Sequence, residues 1–269
     1  MGRYGTQRAA PPLGMQQRRW GATYASYTRN TNEPLKRIAH GRRYEQLLQL
    51  IAAPLPNDKV LDCGCGDAHL FSHLIGEMAA ANLVGYDPNA KLLAQADPAV
   101  TAGSCLTTDI DKLKAEHRRS FTLIYCVEVC EHLTDKALDE LFDSITQLAA
   151  PYARIVFGVP IETGPSGFLK SVYRTARGRR QDASLTKALR ALFGLPIRRT
   201  VTDVEWYGDH TGFSHTRLRQ KLECAGFVVK RSSCLPFPAV GVALNNEIYF
   251  TCSARHAARG KDPPRGTHS

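Results

Sequence analysis

The sequence predicts an α/β protein built on a doubly wound sheet of seven strands, mostly parallel with an antiparallel last strand, plus a helical insertion. Three observations carry this. Between residues 59 and 160 short apolar runs alternate with stretches of helical periodicity, the pattern of parallel strands joined by helices that cover both faces of a sheet. The first run ends in a Gly-rich turn that leads straight into the next predicted helix. The last two runs follow one another with no helix between them, so they pair antiparallel.

In chain order, Leu35, Ile38, Arg42, Leu47, Leu48, Leu50 and Ile51 predict an amphipathic helix over 35–53, closed by Pro54 and Pro56. A buried strand is predicted at 59–62, a helix at 69–81, a strand at 82–86 and a helix at 89–95 beginning near Pro88. A weaker strand at 102–106 and a polar helical stretch near Lys112 precede a clear apolar strand at 121–127. Ala137, Leu138, Leu141, Phe142, Ile145 and Leu148 form the stripe of a helix over 135–149, and 153–160 is a fifth strand. The alternation then breaks into basic helical segments at about 163–203, read as an insertion over the carboxyl edge of the sheet. It resumes with a helix at 214–225 stopped by Gly226, then strands at 227–230 and 247–252.

With 269 residues, 43% hydrophobic and 22% charged, the chain can bury one good-sized core. The expected organisation is a basic, flexible segment at 1–34, a single domain at 35–254 that carries the insertion, and a flexible tail at 255–269. No run approaches the roughly 18 apolar residues that span a bilayer, and the first twenty residues lack the apolar core of a secretory signal. A cytoplasmic protein is expected, with reduced cysteines. The eight cysteines include no CxxC pair, and a zinc site from Cys63, Cys65, His69 and His73 is set aside because their turn-and-helix setting has a better explanation, so no metal is expected.

The formal charge of +10 is uneven. Lys170, Arg174, Arg177, Arg179, Arg180, Lys187, Arg190, Arg198 and Arg199 crowd the insertion, which suits an anionic group or a membrane surface, and equally a solvated helical face.

The chemistry begins at Lys59-Val60-Leu61-Asp62-Cys63-Gly64-Cys65-Gly66-Asp67, an apolar strand running into an acid, two glycines and a helix. The glycines let the backbone turn sharply and approach a ligand beyond the carboxyl ends of the strands. At the end of the second strand lies Asp87 in Val84-Gly85-Tyr86-Asp87, where a carboxylate can accept both hydroxyls of a ribose. Loop and acid together favour a nucleoside ligand over a simple helix cap before Pro88-Asn89. A dinucleotide dehydrogenase would want Gly-x-Gly-x-x-Gly, and His69 stands where its third glycine would fall.

On the segments LDCGCGDAHL, VGYDPNA, TTDID and FTLIYCVEVCEHL, the chain resembles the class I S-adenosylmethionine-dependent methyltransferases, especially the type 11 or UbiG-like small-molecule group, over about 59–160. The resemblance implies a Rossmann-like sheet ending in an antiparallel hairpin, and S-adenosyl-L-methionine as cofactor. It implies that Asp62, Gly64, Cys65 and Gly66 hold the methionine part, that Asp87 binds ribose and Asp109 the adenine amine, and that Ile110 flanks the adenine, with Val127 also at the cofactor. Ala68 departs from the third glycine of many members. Tyr24, Tyr27 and Arg37 fall where related enzymes place a segment that closes over the cofactor.

Methyl transfer from a sulfonium mainly needs alignment, but an alcohol or phenol acceptor also benefits from a base near neutral pH. His210, in a loop, and His132, in Cys130-Glu131-His132-Leu133, are the candidates. After the fourth strand the chain shows Cys126-Val127-Glu128-Val129 rather than the Asn or Asp, Pro, Pro and aromatic of amino-methylating nucleic-acid enzymes, and no Pro-Cys pair for attack on a pyrimidine. The expected acceptor is a small molecule, glycan or lipid-linked compound methylated on oxygen, and a peripheral place at a membrane is compatible with it; RNA or other N-methylation and a non-catalytic binding subunit are the alternatives.

Overall fold

The computed structural model describes residues 42–176, 185–203 and 205–255. The segment 1–34, Tyr24, Tyr27, Arg37, the basic residues Arg177, Arg179 and Arg180, and the tail beyond Arg255 lie outside the described residues.

The strands are β1 (Val60–Cys63), β2 (Leu83–Tyr86), β3 (Cys105–Thr107), β4 (Phe121–Val127), β5 (Ala149–Pro160), β6 (Val201–Asp203), β7 (Trp206–Tyr207), β8 (Phe227–Leu235) and β9 (Glu247–Ala254). Helices α1 (Ala90–Leu93), α2 (Pro98–Thr101), α3 (Ile110–Glu116), α4 (Asp135–Leu148), α5 (Gly164–Ala176), α6 (Leu185–Leu192) and α7 (His215–Cys224) connect or decorate them. Seven strands form one sheet in the order β3-β2-β1-β4-β5-β9-β8. β1 to β5 are parallel, and β9 runs antiparallel to both β5 and β8. The chain winds outward from β1 to β3 and then restarts on the other side with β4, so β1 and β4 flank the switch point where such sheets place ligands.

Because side chains alternate along a strand, neighbouring residues fill opposite faces. Leu61, Ile124, Cys126 and Phe157 join the core on one face, while Val60, Leu123, Tyr125 and Val156 join that on the other. This is why β1 and β4 read as nearly continuous apolar runs. Helix α4 starts where the Thr134 hydroxyl accepts the Ala137 N–H, and it buries Leu138, Phe142, Ile145 and Leu148. Phe142, Phe157 and Phe227 meet edge to face at 5.4–5.6 Å, locking α4 onto β5 and β8.

The predicted helix at 69–81 is instead a short 3₁₀ turn, His69–His73, followed by irregular chain and a second turn, Ala80–Asn82. Gly76, at φ +92°, stops the helix, while Leu70, Phe71 and Leu74 remain buried. Strand β8 runs five residues beyond the predicted 230; its exposed middle, Lys230 to Ser232, hides the strand pattern, and its register shifts between Val229 and Arg231. The expected helix at 35–53 is described from residue 42 and passes into a π-helical turn, Leu47–Ile51. At the end of the insertion the small β6–β7 hairpin, which periodicity did not foretell, is bridged from Trp206 to Leu133 beyond β4.

Candidate cofactor and acceptor site

The turn after β1 is held by the end of β2. The Gly64 and Cys65 N–H groups both donate to the Tyr86 carbonyl, at 2.7 and 3.0 Å, and the Gly66 N–H donates to Asp87 Oδ2 at 3.0 Å. Gly64 sits at φ +85°, and a Cβ there would lie 2.2 Å from Val129 Cγ2, so the turns after β1 and β4 touch. Cys65 is buried with its sulfur against Gly85, so its side chain packs inside the turn rather than facing the crevice.

Asp87 is only 7% exposed, and its second oxygen accepts the Asn89 N–H at 2.8 Å. Burial raises its pKa, opposed by these hydrogen bonds. Asp62 is more perturbed: burial, with the charges of Asp87 and Asp67, pushes it up to about 7. Asp109 is exposed and caps α3, accepting the N–H groups of Asp111 and Lys112 at 3.0 and 2.9 Å; Ile110 follows it, packed with Tyr86 against the core edge. Val127 closes β4. A ligand that fits this crevice brings positive charge to Asp62 and hydroxyl donors to Asp87, and a nucleoside carrying a cationic amino acid does both.

Beyond β4, Glu128 takes the left-handed conformation at φ +59°, its N–H donating to the Gly158 carbonyl at 2.8 Å. Arg43, from the helical segment before β1, donates to Glu247 Oε1 through Nε and Nη2, at 2.8 and 2.5 Å, and reaches Glu128 Oε2 at 3.3 Å. The Tyr249 hydroxyl donates to the other oxygen of Glu247. Burial pushes Glu128 up to about 7, with Arg43 opposing.

The 3₁₀ turn Cys130–His132 then presents Glu131 and His132. Glu131 is fully buried, and neither carboxylate oxygen has a hydrogen-bond partner. Burial first, and Glu128 second, hold its pKa well above the usual carboxylate range. His132 lies flat on Trp206, with ring centres 4.5 Å apart, and its Nδ1–H donates to the Tyr207 carbonyl at 2.9 Å. Its Nε2 is left to accept, and it faces His210 Nε2 at 3.1 Å. Each Nε2 lies 3.9 Å from Glu131 Oε1. Burial lowers the pKa of His132; burial and the neighbouring His132 lower that of His210 further, so both imidazoles are neutral near pH 7.

The structure thus brings His132 and His210 together, although they are 78 residues apart. Glu131, quoted within the motif, is a member of the same cluster that sequence reasoning passed over. Arg43 gave no signal, because its partner Glu247 lies 204 residues away. Arg199 also enters: its Nη2 donates to the Glu131 and Asp209 carbonyls at 2.5 and 2.8 Å, and its guanidinium sits 3.9 Å over the Tyr207 ring.

Much of the basic insertion is likewise engaged internally. Arg174 grips Glu162 bidentately at 2.8 and 3.0 Å, Lys170 reaches Glu162 and the Ile161 carbonyl, and Arg190 donates to the Pro196 carbonyl. A cavity of about 420 Å³ behind the β6–β7 hairpin is lined by Leu138, Ile197, Arg199, Tyr207 and Phe213. None of the candidate cofactor or catalytic residues lines it.

A family model described as a methyltransferase domain matches residues 35–229. No curated protein matches the sequence. Among solved structures, the chain is similar to magnesium protoporphyrin IX methyltransferase from Synechocystis PCC 6803 with bound S-adenosylhomocysteine, at 16% identity and a TM-score of 0.51, covering 80% of this chain and 84% of that one. The PH0226 protein from Pyrococcus horikoshii OT3 gives a TM-score of 0.54 at 15% identity, covering 86% and 96%. An S-adenosylmethionine-dependent methyltransferase from Leishmania major gives 0.51 at 14%, covering 81% and 74%. At such identities the likeness speaks for the fold, whose strand order and antiparallel β9 are those described above. With the family match spanning most of the chain, the protein belongs to the methyltransferase-domain family, as a class I S-adenosylmethionine-dependent methyltransferase.

Proposed function

We propose that this methyltransferase acts on an oxygen of a small-molecule, glycan or lipid-linked acceptor. The observation that carries the reading is the Glu131–His132–His210 cluster, placed directly beyond β4, two residues from the Val129 side chain that packs on the cofactor turn. The bound cofactor supplies a methyl group on a sulfonium, already a good leaving group. Gly64, Cys65 and Gly66 shape the turn that would hold its amino-acid part, and Asp62 would receive the positive charge. Asp87 accepts from the ribose hydroxyls through lone pairs that Gly66 and Asn89 leave open. Asp109 takes the adenine amine, while Ile110 and Val127 supply apolar contact.

The chain's task is then to hold acceptor oxygen, methyl carbon and sulfur in line, an arrangement worth about 7–11 kcal/mol of barrier. The acceptor's proton is lost at the imidazole cluster, whose two buried, neutral Nε2 atoms lie 3.1 Å apart. A lipid-linked acceptor is supported by the exposed apolar residues of the insertion, Leu169, Val172 and Tyr173 on α5 and Leu189 on α6, next to basic side chains.

Calorimetric titration with S-adenosylmethionine and S-adenosylhomocysteine, beside a folded Asp87→Ala variant, tests the cofactor assignment. Binding by the wild type that the variant loses is expected. Equal binding by both would remove Asp87 from the site, and no binding by the folded wild type would point to a repurposed fold.

A further inference from the structure

We infer that Glu131, His132 and His210 bind one divalent first-row transition ion, such as Zn²⁺ or Mn²⁺. The inference rests on the O-methyl-transfer reading for its role, but on geometry for its existence.

His132 Nε2, His210 Nε2 and Glu131 Oε1 form a triangle with sides of 3.1, 3.9 and 3.9 Å. The point equidistant from its corners lies about 2.1 Å from each, the distance at which zinc takes imidazole nitrogen and carboxylate oxygen. The lone pair of His132 Nε2 is available to an ion because Nδ1–H is committed to the Tyr207 carbonyl, the kind of outer-sphere contact that metal-binding imidazoles make. The Trp206 ring, stacked on His132 and bridged to Leu133, fixes the plane of the imidazole.

Charge makes the second argument. Among the described buried glutamates nearby, Glu128 and Glu247 share Arg43, and Glu162 has Lys170 and Arg174. Glu131 is the one whose carboxylate oxygens, both inaccessible to solvent, have no hydrogen-bond partner. The adjacent guanidinium of Arg199 directs its Nη2 to the Glu131 backbone carbonyl instead. An isolated buried carboxylate is costly, and coordination of a cation removes that cost. Two imidazoles with one carboxylate suit Zn²⁺, Mn²⁺ or Fe²⁺ better than an ion that prefers all-oxygen ligands.

Three protein ligands leave coordination open for the acceptor oxygen. With both Nε2 lone pairs committed to the ion, the histidines act as ligands and no longer as the base; the ion takes over that task by polarising the acceptor hydroxyl, whose proton passes to solvent. As the carbon–oxygen bond forms, the carbon–sulfur bond breaks and its electron pair stays on sulfur, leaving an uncharged thioether. Because His210 comes from the loop after β7, the ion would also tie that loop to the turn after β4.

The test titrates metal-stripped full-length protein with Zn²⁺ alone, and separately with Mn²⁺ and Mg²⁺, by calorimetry. One equivalent of Zn²⁺ should bind, weakened at least roughly tenfold in His132→Ala and in His210→Gln. A His69→Ala/His73→Ala variant, which removes two other histidines, should bind as the wild type does. Zn²⁺ should raise the melting temperature of the wild type but not of Glu131→Gln, whose metal-free form should melt no lower than the wild type because it lacks a buried charge. Absence of Zn²⁺ binding by folded wild type, or equal binding by the Glu131 and His210 variants, overturns the inference. Titrating the same samples with S-adenosylhomocysteine separates the two readings: retained binding without a Zn²⁺ site leaves the methyltransferase intact, and failure to bind it defeats the methyltransferase reading whatever Zn²⁺ does.

Discussion

The most informative single residue on the cofactor side is Asp62. Its folded pKa of about 7 lies above the ~3.9 of an unfolded aspartate, so the folded chain holds this proton more tightly. The cofactor-free protein therefore loses stability as pH rises from about 4 through about 7. Asp62→Asn should melt higher than wild type at pH 8, with the difference fading toward pH 4. A cationic ligand favours the ionised carboxylate, so S-adenosylmethionine affinity should rise between pH 6 and 8 in the wild type and stay flatter in the variant. Melting curves and calorimetry across that range check both, and a gain that grows toward low pH would contradict the assignment. On the acceptor side, His210→Gln should lower turnover by roughly 10²–10⁴ while cofactor affinity is kept. Unchanged kcat in a steady-state assay would exclude His210 from the chemistry. These side chains were legible as residue types in motifs, yet the sequence had no way to show that the Glu131 carboxylate stands beside both histidines with neither oxygen hydrogen-bonded.

Among the elements, the turn after β1 couples the two halves of the sheet. Gly64→Ala forces an L side chain into φ +85° and onto Val129, costing about 1–2 kcal/mol for the backbone and about 1–3 kcal/mol for overpacking. Adding Val129→Ala should recover the packing part but not the backbone part, a separation that chemical denaturation can resolve. Full recovery by Val129→Ala would mean that the left-handed backbone carries no cost. Elements with one strong period, such as α4 with its buried Leu138, Phe142, Ile145 and Leu148, were readable from the chain because burial of one stripe dictates the spacing. The shortened turn at 69–73 and the extended β8 were not, because Gly76 and the neighbours of Lys230 decide them through backbone conformation and strand pairing.

For the whole molecule, the chain between β5 and α7 supplies Arg199, the Trp206 platform and His210 to the cluster beyond β4, while leaving Leu189 at 43% and Phe193 at 71% exposure. Leu189→Glu/Phe193→Glu should raise KM for a lipid-linked acceptor and leave KM for a soluble short-chain analogue unchanged; equal effects on both would argue that the face merely supports the fold. Among the described residues no helix is long and apolar enough to cross a membrane. By itself the sequence determined the sheet, its antiparallel last pair and the Gly-rich turn after β1, because local spacing encodes strand alternation, helix stripes and Gly-dependent turns. Only the tertiary structure decided which distant groups meet: Arg43 with Glu247, Lys170 and Arg174 with Glu162, and His210 with His132 and Glu131. Such pairings arise from the packing of distant chain segments against one another, and no periodicity in one dimension records them.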